Sequence, residues 1–206
     1  MSNDAVILGY SGHAYVVIEI LMTNNYNVTG YYDREEKAEN PFNLTYLGTE
    51  ANESDLKKII NCSVFIGIGN NNIRADIFKK LKQNKLSFPV LAHHSSIVSA
   101  SAQIGSGTIV MAGAIVNTMA KIGNAVICNT SSVIDHECVI GDYVHIAPGA
   151  VLAGNITVGD NTFIGANSVI KQGVTIGANV TIGAGAVVLK DIANGLTVYG
   201  NPAKER

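Results

Sequence analysis

Two histidines and the polar residues beside them are the side chains of this 206-residue chain best suited to proton transfer. His136 stands in the run Asp135-His136-Glu137-Cys138, and His145 stands alone in an apolar stretch. An imidazole changes charge near neutral pH, so it can take a proton from an attacking group, and an adjacent carboxylate can fix its tautomer. The structural alternative is that both are incidental, one a solvated histidine and the other an interface histidine satisfied by hydrogen bonds.

The elements that must position these histidines follow a period of six residues. Stepping by six from Val98 to Val188 meets an apolar residue at every position, although only 47% of the chain is hydrophobic. Chance agreement over that many positions is on the order of one in a hundred thousand. The residue after the aliphatic one is often glycine, and the residue two before it is mostly small or β-branched. The aliphatic series is Val98, Ile104, Val110, Val116, Ile122, Cys128, Ile134, Ile140, Ile146, Leu152, Val158, Ile164, Ile170, Ile176, Ile182 and Val188.

This period predicts a parallel β-helix in which a short strand alternates with a glycine-rich corner. Strand alternation points the aliphatic residue and the small residue inward and the residue between them outward. Three hexads close a triangular coil of 18 residues, so residues 18 apart stack at a strand spacing of ~4.8 Å. Periodicity leaves the hand of the coil open, because right-handed crossovers are the default for parallel strands.

The outward residues, taken every 18, distinguish three faces. One is polar, one is wholly apolar, and the third is apolar except for His145 and Thr181. Two long apolar faces on a small protein indicate a partner, and two different faces packing head-to-tail close into a ring, so the sequence predicts a homotrimer. Across a trimer seam, His136 of one chain could approach His145 of the next. One coil above His136, Gly154 has no side chain and leaves space. The faces are Gln103, Lys121, Val139, Thr157 and Thr175; Ile115, Val133, Val151, Val169 and Val187; and Ile109, Ile127, His145, Phe163 and Thr181.

The chain before the solenoid reads as a small α/β domain over residues 1–92, followed by the solenoid and tail over 93–206. Predicted elements are strands at Ala5–Leu8, Val28–Tyr32, Leu44–Leu47, Val64–Ile68 and Phe88–Leu91, and helices at Ala14–Asn24, Glu53–Ile60 and Ile73–Asn84. A glycine-rich turn with Gly12 and His13, then Asp33 about 20 residues on, has the layout of a nucleotide-binding half. The turn does not match the full G-x-G-x-x-G dinucleotide fingerprint. The alternative to a nucleotide site is a tight turn that binds no ligand.

Composition sets further bounds. The net charge of −2 argues against nucleic-acid binding. No run of 18 apolar residues and no basic leader appear, so neither membrane insertion nor a signal peptide is expected. Three cysteines within apolar runs read as reduced packing thiols of a cytoplasmic protein, not as a disulfide framework or a metal site.

The motifs together resemble one family, the bacterial sugar acetyltransferases that carry a small Rossmann-like domain before a left-handed β-helix. These include the UDP-4-amino-4,6-dideoxy-sugar N-acetyltransferases of the bacillosamine pathway, the perosamine N-acetyltransferases and the sialic acid O-acetyltransferases. The resemblance is closest to the bacillosamine type and covers nearly the whole chain, and it supplies the left hand of the coil. The segments that carry it are Gly9-Tyr10-Ser11-Gly12-His13, Tyr32-Asp33, Ile68-Gly69-Asn70-Asn71, Asn129-Thr130-Ser131-Ser132, Val133 to Asp142, His145 to Ala150 and Gly200-Asn201-Pro202-Ala203-Lys204.

The resemblance implies a role for each candidate residue. His136 would be the general base, with Glu137 as its supporting acid. His145 would lie beside the thioester of acetyl-CoA, and Gly154 would flank that cosubstrate. Asn129 would help to place the sugar, while Gly12, His13 and Asp33 would hold the UDP end of a nucleotide sugar.

The implied activity is N-acetylation of the 4-amino group of a UDP-4-amino-4,6-dideoxy sugar by direct attack on acetyl-CoA, for bacterial glycan biosynthesis. Two alternatives within the family are O-acetylation of sialic acid and N-acetylation of GDP-perosamine, because the same base serves an amine or a hydroxyl. An alternative of another class is a non-catalytic trimeric scaffold that binds nucleotide sugars.

Overall fold

The structure, a computed structural model, describes residues 3–50, 59, 61–84 and 86–205. The chain forms two compact units, Met1–Leu91 and Ala92–Arg206. The helix predicted at Glu53–Ile60 lies outside the described residues, apart from Ile59. No described helix is long and apolar enough to cross a bilayer.

The first unit is built on a parallel sheet with buried apolar strands. Its strands are Asp4–Leu8 (β1), Asn27–Tyr32 (β2), Thr45–Tyr46 (β3) and Ser63–Ile66 (β4). Their order in the sheet is β3-β2-β1-β4. Since β1 has β2 on one side and β4 on the other, the chain reverses its winding direction at β1. In sheets of this kind, ligands bind beyond the carboxyl ends of the strands at that reversal.

Two helices follow the carboxyl ends of β1 and β4. Helix α1 covers Gly12–Thr23, and helix α2 covers Asn71–Lys82. The α1 residues that face the core include Val17 and Leu21, both fully buried. Helix α2 begins at a true cap, because the Asn70 side-chain oxygen accepts a hydrogen bond from the Ile73 backbone N–H at 3.1 Å. Both helices begin two residues earlier than the sequence pattern predicted.

The second unit is the predicted parallel β-helix. Each hexad contributes one two-residue strand, and residues 18 apart pair in register, as Ile127 with His145 and His145 with Phe163. The core holds the inward aliphatic and small residues, such as fully buried Ile134 and Ala150. The strands are Leu91–Ala92 (β5), Ile97–Val98 (β6), Gln103–Ile104 (β7), Ile109–Val110 (β8), Ile115–Val116 (β9), Lys121–Ile122 (β10), Ile127–Cys128 (β11), Val133–Ile134 (β12), Val139–Ile140 (β13), His145–Ile146 (β14), Val151–Leu152 (β15), Thr157–Val158 (β16), Phe163–Ile164 (β17), Val169–Ile170 (β18), Thr175–Ile176 (β19), Thr181–Ile182 (β20), Val187–Val188 (β21), Thr197–Tyr199 (β22) and Lys204–Glu205 (β23).

These strands stack into three sheets, one for each face of a triangular prism. The five-stranded sheet, β7-β10-β13-β16-β19, is the polar face, and its outward residues from Gln103 to Thr175 are exposed as predicted. The six-stranded sheet is β6-β9-β12-β15-β18-β21, and the eight-stranded sheet runs β5-β8-β11-β14-β17-β20-β22-β23. The fold class expected from the sequence, an α/β domain before a hexapeptide-repeat β-helix, is confirmed.

The two apolar faces differ from the expectation that both are open to a partner. On the six-stranded face the outward valines are half-buried, and Val169 remains 43% exposed. On the eight-stranded face Ile109, Ile127 and His145 already lie at 9% exposure or less in the single chain. The homotrimer, in which the six-stranded face packs against the eight-stranded face of a neighbour, stays a prediction. The apolar side chains of the six-stranded face still have accessible surface to bury, as does Phe163 on the eight-stranded face.

The C-terminal segment, which the sequence predicts to be a tail, instead continues the solenoid. Strand β22 extends the eight-stranded sheet by pairing in parallel with β20, and β23 pairs antiparallel with β22. Burial of Val198, 2% exposed, continues the core beyond the last hexad. The strand predicted at Phe88–Leu91 is likewise shifted: it forms at Leu91–Ala92, where it pairs into the solenoid.

Candidate functional site

His136 lies in the turn between the six-stranded and five-stranded faces, directly after β12. Its Nδ1 is 3.1 Å from Glu137 Oε2, and its side chain is 41% exposed. An ionised carboxylate can only accept hydrogen bonds, so Nδ1 carries the proton and Nε2 keeps a lone pair. The His136 backbone N–H donates to Asp135 Oδ1 at 2.7 Å, and Asn117 Nδ2 donates to the same oxygen at 2.9 Å. These two hydrogen bonds lower the pKa of Asp135 and fix the turn. The arrangement can accept one proton at Nε2.

The imidazole of His136 lies against the backbone of Gly154, one coil further along. A Cβ built on Gly154 would overlap Cε1 and Nε2 of the ring and lie 3.0 Å from Nδ1. The ring therefore occupies the volume that any side chain at position 154 would need. This contact places Gly154 beside the proton-accepting nitrogen.

Glu137 holds an unusual backbone conformation for a glutamate. Its φ is 60°, in the left-handed region that favours glycine or asparagine. Asn155 takes the same conformation one coil later, with φ 55°, and Gly173 follows in the next coil with φ 76°. A glutamate in this region costs ~1–2 kcal/mol. At this turn the solenoid geometry imposes the left-handed conformation on Glu137, whose carboxylate lies next to His136.

A second polar cluster joins Asn129 to His145. Asn129 Nδ2 is 3.0 Å from His145 Nε2, and Asn129 Oδ1 accepts from the Thr130 backbone N–H at 2.8 Å. The His145 ring also packs edge-on against Phe163, with ring centroids 5.1 Å apart. His145 projects from the eight-stranded face, and Asn129 follows β11 of the same sheet. This cluster and His136 thus belong to different faces of the prism.

The cysteines are packing residues in this environment. Cys128 and Cys138 are fully buried in the solenoid core. Burial raises the pKa of the Cys128 thiol to about 12. Cys138 Sγ donates to Ala153 O at 3.1 Å, which directs the sulfur inward although the residue neighbours Glu137. Neither thiol is placed to act as a nucleophile.

The first unit contains a cleft of about 490 Å³ at the carboxyl ends of its strands. It lies at the reversal of winding between β1 and β4, where ligand sites of open parallel sheets occur. The N-terminal residues of α2 also contribute to its wall, and helix N-termini favour anions. The lining residues are Gly9, Ser11, Asp33, Arg34, Glu50, Ile68, Gly69, Asn70, Ile73, Asp76 and Ile77.

Asp33 is held in this cleft by backbone hydrogen bonds. The Tyr10 backbone N–H donates to its Oδ2 at 3.0 Å, and the Arg34 N–H donates to its Oδ1 at 2.7 Å. Lys37 Nζ lies 3.3 Å from Oδ1. The loop after β1 and the carboxylate after β2 are therefore joined into one wall, which can present acceptor oxygens to a donor-rich ligand.

Gly12 and His13 are placed differently from Asp33. Neither lines the cleft as the described residues define it. Gly12 is the exposed first residue of α1. Burial, and to a smaller extent the nearby Arg74, lowers the pKa of His13 to about 4, so its imidazole is neutral at physiological pH. His13 therefore supplies no positive charge to a phosphate there.

Arg74 is a structural residue of the cleft that the sequence pattern did not single out. It is 1% exposed, and its Nη1 donates to Ile68 O at 3.1 Å and Gly69 O at 2.9 Å. Its Nη2 donates to Asn71 Oδ1 at 2.8 Å. The guanidinium thus clamps the loop after β4 that forms one wall of the cleft. The available signal was an arginine three residues after the Gly69-Asn70-Asn71 turn.

Across the described residues, no group of three or more His, Cys, Asp or Glu is placed to hold a metal ion.

Comparison with known families finds two matching segments. Residues 4–81 match the PglD N-terminal domain family, and residues 155–190 match the bacterial transferase hexapeptide family, six repeats. Among curated proteins, UDP-N-acetylbacillosamine N-acetyltransferase from Bacillus subtilis (strain 168) is 34% identical over 114 residues. That match covers 54% of this chain and 52% of the relative, so it spans about half the length of each.

Two solved structures match over all or nearly all of the chain. The acetyltransferase domain of PglB from Neisseria gonorrhoeae FA1090, in complex with acetyl coenzyme A, is 34% identical, with a TM-score of 0.94 and 100% coverage of both chains. A mutant of perosamine N-acetyltransferase from Caulobacter crescentus, in complex with CoA and GDP-perosamine, is 34% identical with a TM-score of 0.93. It is matched over 98% of this chain and 96% of its own.

Proposed function

This chain belongs to the bacterial sugar acetyltransferases that join a PglD N-terminal domain to hexapeptide repeats, and we propose that it acetylates the 4-amino group of a UDP-4-amino-4,6-dideoxy sugar. Its membership, shown by the full-length match to the PglB acetyltransferase domain, confirms the resemblance noted in the sequence. Acetyl-CoA is the cosubstrate, since that relative binds it. The coarser activity, N-acetylation of a nucleotide sugar, is supported by the two N-acetyltransferases among the relatives.

The observation that carries the proposal is the geometry of His136. Its Nδ1–H donates to Glu137, so Nε2 is the acceptor, and the ring packs on Gly154 at a half-exposed turn. The amine nitrogen attacks the thioester carbonyl carbon, the new C–N bond forms, and the C–S bond breaks. His136 Nε2 takes the proton that the amine loses and returns it to the departing CoA sulfur. General-base catalysis of this kind is worth roughly 10²–10⁴-fold.

The active site is proposed to lie at a seam between neighbours of a homotrimer. His136 and the Asn129–His145 cluster belong to different faces of one prism, so a single chain presents them in different directions. Burying the half-exposed valines of the six-stranded face against a neighbouring chain would bring His136 of one copy towards the cluster of another. His145 and Gly154 would then flank acetyl-CoA.

The cleft of the first unit is proposed to hold the nucleotide. Asp33 offers carboxylate oxygens to hydroxyl and N–H donors of a nucleoside, and helix N-termini favour the diphosphate. Gly12 does not line the cleft itself, and its proposed role is through the backbone at the start of α1. His13, being neutral, would help by shape and hydrogen bonding, not by charge. The UDP form is preferred to GDP because the bacillosamine-type relative is named for a UDP sugar. The cytoplasmic location expected from the sequence is part of the same proposal.

A thioester-cleavage assay with several acceptors tests this function. The acceptors are a UDP-4-amino-4,6-dideoxy sugar, GDP-perosamine and sialic acid. The UDP sugar should give the highest kcat/KM, and His136→Ala should lower kcat by roughly 10²–10⁴-fold with little change in either KM. Asp33→Ala should raise the KM of the nucleotide sugar alone. Preference for GDP-perosamine or sialic acid would reassign the substrate, and thioester cleavage with none of them would favour the non-catalytic scaffold.

A further inference from the structure

The side-chain amide of Asn129 has one orientation that satisfies both of its neighbours. Its Oδ1 accepts from the Thr130 backbone N–H at 2.8 Å, which leaves Nδ2 as the atom 3.0 Å from His145 Nε2. Turning the amide over would place its NH₂ group against the Thr130 N–H, two donors facing each other. The backbone of the turn therefore decides that Asn129 offers a donor to the histidine.

This orientation determines the protonation pattern of His145. A nitrogen that accepts the Asn129 N–H cannot itself carry a proton, so Nε2 is unprotonated. A neutral imidazole then has its proton on Nδ1. The ring is fixed in place as well, because it is 9% exposed and packs edge-on against Phe163 at 5.1 Å. His145 is thus a neutral imidazole whose Nε2 lone pair is already used.

We propose that Asn129 is a positioning residue that locks His145 in the neutral Nδ1–H tautomer and so keeps it from competing with His136 as a base. The inference rests on the proposed acetyltransferase function and refines it. Both histidines carry their proton on Nδ1, but the lone pair on Nε2 has a different use in each: in His136 it is left to accept a proton from the substrate, and in His145 it accepts the Asn129 N–H. Asn129 acts through His145 and does not place the sugar directly, which replaces the role that the family resemblance implied.

The tautomer can be measured without any substrate. In protein labelled with ¹⁵N-histidine, long-range ¹H–¹⁵N spectra distinguish protonated from unprotonated ring nitrogens, and His145→Gln identifies the His145 signals by their loss. Unmodified protein at neutral pH should show His145 protonated on Nδ1 and unprotonated on Nε2. A proton on Nε2 of His145 in the unmodified protein overturns the proposal.

Asn129→Asp is the sharpest variant, since it is nearly isosteric and removes the donor. A carboxylate only accepts, so His145 should gain a proton on Nε2 and its spectrum should invert or show the doubly protonated ring. Kinetically, Asn129→Asp should lower kcat or raise the KM of acetyl-CoA, with the KM of the nucleotide sugar unchanged. Thr130→Ala, which retains the backbone N–H, is the matched control and should leave spectrum and kinetics unchanged.

Two outcomes separate this inference from the proposed function. If Asn129→Asp raises only the KM of the nucleotide sugar and leaves the His145 spectrum unchanged, Asn129 is a sugar contact and the inference is wrong. If the unmodified protein acetylates no nucleotide sugar while His145 shows the Nδ1–H form, the activity assignment fails and the tautomer lock is supported.

Discussion

Replacing Gly154 by alanine tests whether His136 acts as the base from the position that the structure gives it. The change adds one methyl group, and the φ of Gly154 lies outside the left-handed region, so alanine fits the backbone. The new Cβ would overlap Cε1 and Nε2 of the imidazole. The ring must therefore rotate away, because real Cβ atoms essentially never approach other atoms this closely.

The size of the effect follows from the displacement. A base contributes roughly 10²–10⁴-fold, and a misplacement of about 1 Å can cost roughly 10²-fold. Moving the ring out of overlap requires a displacement of that order, so kcat should fall by roughly 10²-fold in a thioester-cleavage assay. The KM of the nucleotide sugar should be unchanged, since its proposed cleft lies in the first unit. Gln172→Ala, at the same turn position one coil later, is the control and should retain activity.

A double-mutant cycle shows whether the loss passes through His136. In the His136→Ala background the overlap is gone, so adding Gly154→Ala should cause no further fall in kcat. The reasoning is refuted if the two losses add fully in the double mutant, or if Gly154→Ala alone has a normal kcat. In either case His145 becomes the better candidate for the base. A rise confined to the KM of acetyl-CoA would instead show that Gly154 contacts only the cosubstrate.

Three further results are expected. Burial lowers the pKa of His13 from 6.5 to about 4. As the pH falls, His13 is therefore protonated in the unfolded chain at a higher pH than in the folded protein. The free energy of unfolding, measured with denaturant, should therefore fall by up to about 3 kcal/mol between pH 6.5 and pH 4, and His13→Gln should flatten this fall. Glu137→Asn should raise the stability by ~1 kcal/mol by relieving the left-handed glutamate, while kcat falls; a fully active enzyme would dismiss the Glu137 role. Val151→Glu should convert a trimer into monomers by light scattering and abolish activity, and an active monomer would remove the seam-located site.

The solenoid is the part that the sequence predicts most completely. One hexad places an aliphatic residue inward, and the next coil places another directly over it, so Ile134 and Leu152 pair in the structure as the count of 18 requires. The polar face was predicted for the same reason, since Lys121 and Thr157 stand between inward neighbours. Local spacing determines these contacts, and no long-range information is needed.

Contacts that depend on side-chain orientation or on chain segments far apart in sequence were not predictable in the same way. The Tyr10 N–H to Asp33 contact joins residues 23 apart in the chain, and no periodicity links them. The Asn129–His145 hydrogen bond could have been predicted from the sequence. The 18-residue coil stacks Ile127 on His145, so the turn that follows Ile127 lies beside the histidine. The burial of Ile127 contradicts the open face expected from its outward position, because alternation gives the direction of a side chain and not its accessibility.

The 18-residue coil also governs how the length of this protein can change. Removing six residues between His136 and His145 would turn everything beyond the cut by one face of the prism, moving Val151 and Val169 off the six-stranded face. Removing 18 would keep every face and shorten the stack by one layer of ~4.8 Å. Insertions and deletions in the solenoid therefore preserve the three faces only when they add or remove whole coils. An insertion of any other length preserves them only if its extra residues form a loop at a corner. One coil of 18 residues is therefore the smallest change in solenoid length that leaves every face with its own side chains.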